Sequence, residues 1–343
     1  MNDSSRPRVS VVIKALNEER RIVAAIESAL AAVQPLGGEV ILADSASTDR
    51  TVALAAAYPV RIVQLANPGE RCCGVGPQLG YQHSRGEFIY ILDGDMKLHP
   101  GFLEQALDFM AANPDVAGVG GQVLEQNRDS LEYLGRIERA AHAMPVGESV
   151  RLDMGGLYRR AAIEQVGYFS NRNLHSYEEF DLAMRLRARG WRLWRLGVPA
   201  VDHHGHDVPA YELLMRRWRS AYICGVGEVV RAAIGQPHQR LVLTALRELW
   251  IYVAALLWLL ALPLVAFGPG PVMVRASGEL MLALLPWLAM ALKKRSASKA
   301  AYSVVSWIAH VGGLLRGLLR RQVAPDARIA SVDLTPSPGA LRP

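Results

Sequence analysis

Short apolar runs alternate with segments of helical periodicity over the first 100 residues. Runs rich in β-branched and aliphatic residues predict four strands, at 9–13, 39–43, 60–65 and 87–92. Between them, apolar residues spaced three or four apart and polar helix-start residues predict helices, at 17–32, 52–58 and 78–84. Strands that alternate with helices at this pitch predict an α/β fold with a mainly parallel sheet covered by helices.

The alternation continues beyond residue 100. It predicts a glycine-rich strand at 116–124, a polar helix-like stretch up to residue 143 and a short helix at 161–166. The segment 176–189 ends at Gly190, which predicts a further helix, and 191–196 predicts the strand after it.

The pattern changes after about residue 240, where long apolar segments begin. Residues 249–267 form an uncharged stretch of roughly 19 residues, enough to cross the ~30 Å core of a bilayer. A Gly-Pro turn follows at 268–271, and a second apolar stretch at 272–292 ends in three basic residues. We therefore predict a C-terminal membrane helical hairpin, with buried helices of a soluble domain as the alternative.

The positions of basic residues predict the orientation of this hairpin in the membrane. Arg247 and the cluster that begins at Lys293 flank its two outer ends, which the positive-inside rule places in the cytoplasm. We therefore expect an inner-membrane protein whose N-terminal α/β domain lies in the cytoplasm. The stretch 300–319 is interrupted by His310 and Arg316, and we expect it to be an interfacial helix that does not span the bilayer.

Composition agrees with a membrane protein and argues against a nucleic-acid-binding protein. The 343 residues are 51% apolar, with a mean hydropathy of +0.12. The net charge of +6 comes without a long basic run, so we expect no nucleic-acid partner. The resulting division is a disordered N-terminus (1–8), a first half of the α/β domain (9–125), a second half (126–240), membrane-associated helices (241–321) and a disordered tail (322–343).

Polar residues follow three of the predicted strands and are the first candidates for a site. Asn17, Asp44 and Asp93 lie just past strand ends, where ligands bind in parallel α/β sheets. Asp93 and Asp95 in an Asp-Gly-Asp turn could hold a divalent cation together with phosphate oxygens, although such a turn alone is an ordinary solvated turn.

The loop after the second strand offers Asp44 as a carboxylate for a base or ribose. Its neighbours Ser47 and Asp49 also fit simple capping of the next helix, and for those two residues both interpretations stay open. Arg71, in a Pro-Gly-Glu-Arg loop, is a candidate phosphate ligand or a solvent-exposed loop residue.

A group of carboxylates begins the helix at 176–189. Ser176 and Glu179 match the S-x-x-E capping box. However, Glu178, Glu179 and Asp181 crowd more negative charge into one turn than capping requires, and such crowding raises a carboxyl pKa towards that of a useful base.

Three histidines follow the next strand in the sequence Asp202-His-His-Gly-His206. One of them, with His204 as our choice, is a candidate ligand for the metal at Asp93 and Asp95, since imidazole suits Mn²⁺. The basic, aromatic segment 216–219 fits either a diphosphate contact or a helix at the membrane interface.

The motifs together resemble family 2 glycosyltransferases of the GT-A fold. The resemblance rests on the pattern from Val9 to Glu19, the Asp44-Ser-Ala-Ser-Thr-Asp-Arg-Thr51 loop, Asp93-Gly-Asp95 and Glu178-Glu-Phe-Asp-Leu-Ala-Met-Arg-Leu186, in that order. It covers about residues 8–220, and it implies that 9–125 form the nucleotide-sugar-binding half of the GT-A domain and 126–240 the acceptor-binding and catalytic half.

The resemblance implies a GT-A mixed sheet, a nucleotide-sugar donor, usually linked to UDP, and inversion at the anomeric carbon. By position, Asp44 is similar to the nucleoside-binding aspartate, Asp93 and Asp95 to the D-x-D pair, and Glu179 to the catalytic base. Most relatives have Glu-Asp where this chain has Glu178-Glu179. The expected donor-binding residues are Asn17, Glu19, Asp44, Arg71 and Asp93; the expected metal ligands for Mg²⁺ or Mn²⁺ are Asp93, Asp95 and His204.

The function that we predict is transfer of a sugar from the donor to a hydroxyl or phosphate of a lipid-linked or glycan acceptor at the membrane, in polysaccharide or glycolipid synthesis. Two other classes stay open. One is a non-catalytic nucleotide-binding membrane adaptor with the same fold. The other is a nucleotidyltransferase, which would favour a glycine-rich basic loop where this chain has Ala15-Leu-Asn-Glu-Glu19.

Overall fold

The computed structural model describes residues 6–126, 145–153, 155–204 and 208–337. The backbone forms two compact units. Unit 1 comprises Met1–Asp207 and Gln322–Pro343, and unit 2 comprises Val208–Arg321. The polar helix-like stretch that we predicted up to residue 143 lies outside the described residues, as does His206.

A ten-stranded mixed sheet forms the centre of unit 1. Its strands are β1 (Val9–Ala15), β2 (Glu39–Asp44), β3 (Arg61–Leu65), β4 (Phe88–Asp93), β5 (Met96–Leu98), β6 (Val116–Glu125), β7 (Gly147–Ser149), β8 (Gly156–Arg159), β9 (Arg192–His203) and β10 (Ser331–Asp333). They follow the order β10-β3-β2-β1-β4-β8-β6-β9-β5, with β7 beside β9. The pairs β3-β2, β2-β1, β1-β4 and β6-β9 are parallel, and the others are antiparallel. This confirms the predicted α/β fold.

The helices of unit 1 cover the sheet. They are α1 (Ile22–Val33), α2 (Thr51–Ala55), α3 (Val75–His83), α4 (Phe102–Ala112), α5 (Arg160–Gln165) and α6 (Glu178–Ala188). Helix α1 buries Ile22, Ile26 and Ala29, an i, i+4, i+7 stripe that packs into the core beside β1. It begins five residues later than predicted, because Asn17 adopts a positive φ of 59° and residues 18–21 form a turn.

The described residues near both ends of unit 1, at 6–8 and 322–337, are more ordered than we predicted. Strand β10 pairs with the edge strand β3, Ile329 is buried, and the backbone is described up to residue 337. The expected disorder from residue 322 is therefore wrong for 322–337. At the other end, the carbonyls of Pro7 and Arg8 accept hydrogen bonds from the N–H groups of Glu87 and Phe88, so these two residues are ordered as well. Segments this short carry no detectable periodicity.

Unit 2 is helical. Its helices are α7 (Ala210–Arg219), α8 (Gly225–Ala233), α9 (Gln239–Ala245), α10 (Arg247–Ala266), α11 (Val272–Lys294) and α12 (Ala297–Leu319). Helices α10 and α11 are long and apolar enough to cross a membrane by length and composition, and Leu264, Phe267 and Met273 are more than 70% exposed. These two helices are the candidate membrane hairpin.

Helix α12 covers the stretch for which we expected an interfacial helix. One face of it packs closely within unit 2: a Cβ added at Gly313 or Gly317 would lie 2.5 or 2.2 Å from the carbonyl oxygens of Ile223 and Cys224. Glycine is needed at both positions for this close approach. The helix is confirmed, and its position relative to a bilayer stays a prediction.

Candidate active site

The parallel register of β1 with its two neighbours brings the polar strand ends together. Lys14 pairs with Asp93 of β4, and Ala15 pairs with Asp44 of β2. The Asp-Gly-Asp turn lies tightly against the end of β1, because a Cβ at Gly94 would be 2.9 Å from the side chain of Glu18. Two corners of one site result, one at Asp93 and one at Asp44.

Lys14 is the cation at the Asp93 corner, and it was not among the residues predicted from the sequence. Its Nζ lies 3.0 Å from Asp93 Oδ1 and 3.6 Å from Glu178 Oε1. Burial lowers the pKa of Lys14, but the charges of Asp93, Glu178 and Glu179 outweigh burial and raise it well above its usual value. Lys14 is therefore an ammonium ion that joins the Asp-Gly-Asp turn to the start of α6.

Glu179 has the electrostatics of a general base. Burial raises its pKa from 4.5 to about 8, assisted by the charges of Asp153, Glu178 and Asp93 and opposed by Lys14. Glu178, Glu179 and Lys14 line a cavity of about 10 Å³, which has room for roughly one water molecule. A carboxyl group with such a pKa can accept a proton near neutral pH.

The helix that we predicted from residue 176 begins two residues later. Helix α6 begins at Glu178, and its N-cap is Tyr177, with a positive φ of 67° and no side-chain cap. The carboxylate of Asp181 does not face the cavity, because it is fully buried and pairs with Arg185 Nε at 2.8 Å. Of the three crowded carboxylates, Glu178 and Glu179 therefore belong to the site, and Asp181 is structural.

Glu18 is a further carboxylate at this corner, and it was not among the residues predicted from the sequence. Burial, together with the negative charges of Asp95 and Asp93, raises the pKa of Glu18 from 4.5 to about 7. Three carboxylates thus crowd the turn, a concentration of negative charge that favours a cationic ligand.

The histidine beside Asp95 is His203, which corrects our choice of His204. His203 Nε2 lies 3.6 Å from Asp95 Oδ2, and Nδ1 lies 2.8 Å from Glu125 Oε2. Burial lowers the pKa of His203, but its hydrogen bonds to the two carboxylates outweigh burial and raise it. His203 is the last residue of β9 and pairs in register with Met96 of β5, which places it next to Asp95.

The residues that the structure describes hold no group of three or more His, Cys, Asp or Glu side chains arranged for a metal ion. Asp95 and His203 nevertheless fit Mn²⁺ or Mg²⁺ as two protein ligands, since both cations also take oxygen ligands from a bound diphosphate. Glu125 would orient the imidazole, a common role of carboxylates behind metal-ligating histidines.

Asp44 lies at the second corner, where its carboxylate is already hydrogen-bonded. Ser47 donates to it through the backbone N–H (2.9 Å) and the hydroxyl (2.5 Å), and Gln64 Nε2 donates at 2.9 Å. Arg71 does not extend into open solvent, because its Nε donates to the Ser45 carbonyl at 2.8 Å and its Nη2 donates to the Ala46 carbonyl. Arg71 and Ser47 both fix the loop that carries Asp44.

Asn17 and Glu19 hold the same loop from the side of β1. Asn17 Oδ1 accepts from the Thr48 N–H at 2.8 Å, and Glu19 Oε2 accepts from the Arg50 N–H at 3.2 Å. Asp49 accepts from Thr51 N–H and hydroxyl. These contacts support a loop-positioning role, and Ser47 hydrogen-bonds Asp44 and does not cap α2.

The family model "Glycosyl transferase family 2" matches residues 10–167, the part of the chain that carries both corners of the site. These residues belong to glycosyl transferase family 2. The match includes the Asp44 loop and the Asp93-Gly-Asp95 turn, and it ends before Glu178 and Glu179.

Curated relatives of the family 2 domain include two enzymes of different length. Glucomannan 4-beta-mannosyltransferase 2 of Arabidopsis thaliana is 28% identical over 163 residues, which cover 43% of this chain and 29% of that protein. The putative glycosyltransferase EpsE of Bacillus subtilis (strain 168) is 29% identical over 205 residues, or 56% of this chain and 71% of EpsE. The match thus spans less than a third of the plant enzyme.

A solved structure confirms the fold. The mannosyltransferase PcManGT from Pyrobaculum calidifontis, in complex with GDP-Man and Mn²⁺, superposes with a TM-score of 0.60 and 20% sequence identity, covering 92% of this chain and 88% of PcManGT. The mixed sheet flanked by helices is the GT-A fold that the resemblance implied.

Proposed function

We propose that the protein is an inverting glycosyltransferase that moves a sugar from a nucleoside-diphosphate sugar to a membrane-linked acceptor. The observation that carries the proposal is Glu179: a carboxylate with a pKa raised to about 8, beside the Asp-Gly-Asp turn of a family 2 domain. A base with this pKa can remove the proton of an acceptor hydroxyl as the hydroxyl attacks the anomeric carbon.

The other residues have distinct roles in this proposal. The Asp44 loop binds the nucleoside, with Asn17, Glu19 and Arg71 holding the loop in place. Asp93 contacts the donor from the end of β4, and Lys14 keeps Asp93 and Glu178 at fixed positions by ion pairs of 3.0 and 3.6 Å. Asp95 and His203 would hold a Mg²⁺ or Mn²⁺ ion, which when bound neutralises charge on the departing diphosphate.

The donor is UDP-linked in our proposal, following the motif resemblance. A GDP-linked donor is the closest competitor, because the fold neighbour PcManGT was solved with GDP-Man. The acceptor is membrane-linked, since α10 and α11 belong to the unit that follows Asp207 in sequence and are long and apolar enough to span a bilayer. We propose that the protein resides in the inner membrane, with unit 1 in the cytoplasm.

The first test is the thermal stability of the detergent-solubilised protein with UDP, GDP, CMP or dTDP, each with Mn²⁺ or EDTA. Ligands that bind the folded state raise its apparent stability. We expect a metal-dependent increase with UDP. An increase with GDP alone reassigns the donor, and no increase with any nucleotide contradicts donor binding.

Product analysis then separates the three classes of function. Release of a free nucleoside diphosphate from the matching nucleotide sugar supports glycosyl transfer. Release of pyrophosphate supports nucleotidyl transfer, and stable binding without turnover supports the adaptor. A carbonate wash of membranes tests the location, because a peripheral or soluble protein is released by it whereas a membrane-spanning hairpin is retained.

A further inference from the structure

The C-terminal segment 323–335, which we call the C-terminal strap, runs along the edge of the sheet in unit 1. Its strand β10 pairs with β3, and the Ala66 N–H donates to the Ala330 carbonyl at 3.0 Å. At its end, Leu334 N–H donates to the Ile62 carbonyl at 2.9 Å, and the Thr335 hydroxyl accepts from Ile62 N–H at 3.0 Å. The strap therefore covers an otherwise unpaired sheet edge.

Two side-chain amides bind the strap backbone through paired hydrogen bonds. Asn173 donates to the Val323 carbonyl at 2.9 Å and accepts from Val323 N–H at 3.0 Å. Gln82 does the same with Ile329, at 3.3 and 2.9 Å. Such pairing fixes both the position and the direction of the strap, because each amide satisfies a backbone donor and acceptor at once.

Arg172 connects the strap to the loop at 67–71. Its Nη1 donates to the carbonyls of Ala327 and Arg328 at 3.0 and 3.1 Å, and its Nη2 pairs with the Glu70 carboxylate. The Arg172 side chain is only 9% exposed, so this charge-assisted pair is less screened than a surface ion pair. One guanidinium thus joins two segments more than 200 residues apart in sequence.

Two routes lead from the strap to Asp44. The first passes through Arg172 and Glu70 to Arg71, whose guanidinium donates to the carbonyls of Ser45 and Ala46. The second passes through β3: Val332 of the strap pairs in register with Gln64, which donates to Asp44 Oδ2 at 2.9 Å. Both routes end at the Asp44 loop, which binds the nucleoside in the proposed function.

We propose that Arg172 is a positioning residue that, by joining the C-terminal strap to the loop at 67–71, holds the Asp44 corner in its donor-binding conformation. This inference rests on the proposed function. Without the Arg172 guanidinium, the loop at 67–71 loses its side-chain link to the strap, and the loop must then be ordered when the donor binds. The free-energy cost of that ordering lowers the affinity for the donor, and it does not change the chemical step at Glu179.

The test compares Arg172→Met with Arg61→Met in the full-length protein. Both substitutions remove a guanidinium that contacts the strap, since Arg61 Nη2 lies 3.1 Å from Asp333 Oδ2. Only Arg172 also contacts the loop at 67–71. We expect R172M to raise the donor KM about tenfold at an unchanged kcat, and R61M to change KM by less than about twofold.

Hydrogen exchange provides a readout that does not require activity. In R172M, the amides of peptides covering 44–47 and 66–74 are expected to exchange at least about fivefold faster than in wild type, with β1 and β4 unchanged. Exchange at these peptides that equals wild type, or that equals R61M, overturns the inference. A lower kcat at unchanged KM overturns it as well. If the wild type binds no nucleotide, the proposed function fails, and the exchange data still decide whether Arg172 orders the loop.

Discussion

If Glu179 is the base, as we propose, its raised pKa predicts a transfer rate that increases with pH above neutrality. With a pKa of about 8, only about one molecule in ten carries the ionised base at pH 7. About nine in ten carry it at pH 9. We therefore expect kcat/KM to rise about tenfold between these two values and to level off above them, with a single acid limb.

The matched variants are Glu179→Gln and Glu178→Gln. Removing the base in E179Q is expected to lower kcat by about 10²-fold or more and to abolish the acid limb, while donor affinity is retained. E178Q removes a carboxylate of equal size that pairs with Lys14, so it is expected to retain more activity and to keep an acid limb. Initial rates of nucleoside diphosphate release, measured from about pH 6 to about pH 10, check both expectations.

Two results would refute this reasoning. If the rate is already level at the acidic end of the measured range, the acid limb lies nearer the ordinary glutamate pKa of 4.5, and the environment of Glu179 does not shift its titration as the structure implies. If E179Q turns over at the wild-type rate, Glu179 is not the base, and Glu178 becomes the candidate if E178Q is inactive.

Three further predictions concern the same corner. Lys14→Met removes a cation that lowers the pKa of Glu179, so the acid limb should move to higher pH; an unmoved limb would show that Lys14 does not act on Glu179. Because the folded-state pKa of Glu179 lies above its ordinary value, its contribution to stability is complete below pH 4.5 and is lost as the pH rises through about 8. The melting temperature of E179Q relative to wild type should therefore increase from acidic to alkaline pH, and a constant difference would contradict this. Asp95→Asn should abolish the Mn²⁺-dependent part of nucleotide stabilisation, as EDTA does in wild type, and an unchanged Mn²⁺ effect would remove the metal assignment.

The strand ends could be predicted from the sequence because a parallel sheet places them at one edge. Asp44, Asp93 and Asp95 were found in this way. Lys14 was not, because a lysine after an apolar run is usually a solvated strand end, and its partner Asp93 becomes apparent only from the register of β1 with β4. Long-range pairing of this kind leaves no local pattern in the chain.

Two assignments at the level of single residues depend on the folded backbone. The helix predicted from residue 176 begins at Glu178, because Tyr177 adopts a left-handed conformation. In Asp202-His-His, the sequence offered two adjacent histidines, and only the pairing of β9 with β5 places His203 opposite Met96, next to Asp95. The conformation of Tyr177 and the pairing of β9 with β5 both depend on the folded structure, so neither could be predicted from the local sequence.

The return of the chain to unit 1 after residue 321 has a consequence for protein stability in the cell. Unit 2 is an insertion in the sequence of the catalytic unit, so a protease cut within Val208–Arg321 does not by itself separate the strap from β3. A chain that ends before residue 322 is a different case. It leaves the N–H and C=O groups of β3 unpaired, and an open strand edge is a template for pairing with another molecule. Nicked molecules can therefore stay intact as catalytic units, whereas prematurely terminated ones are prone to self-association.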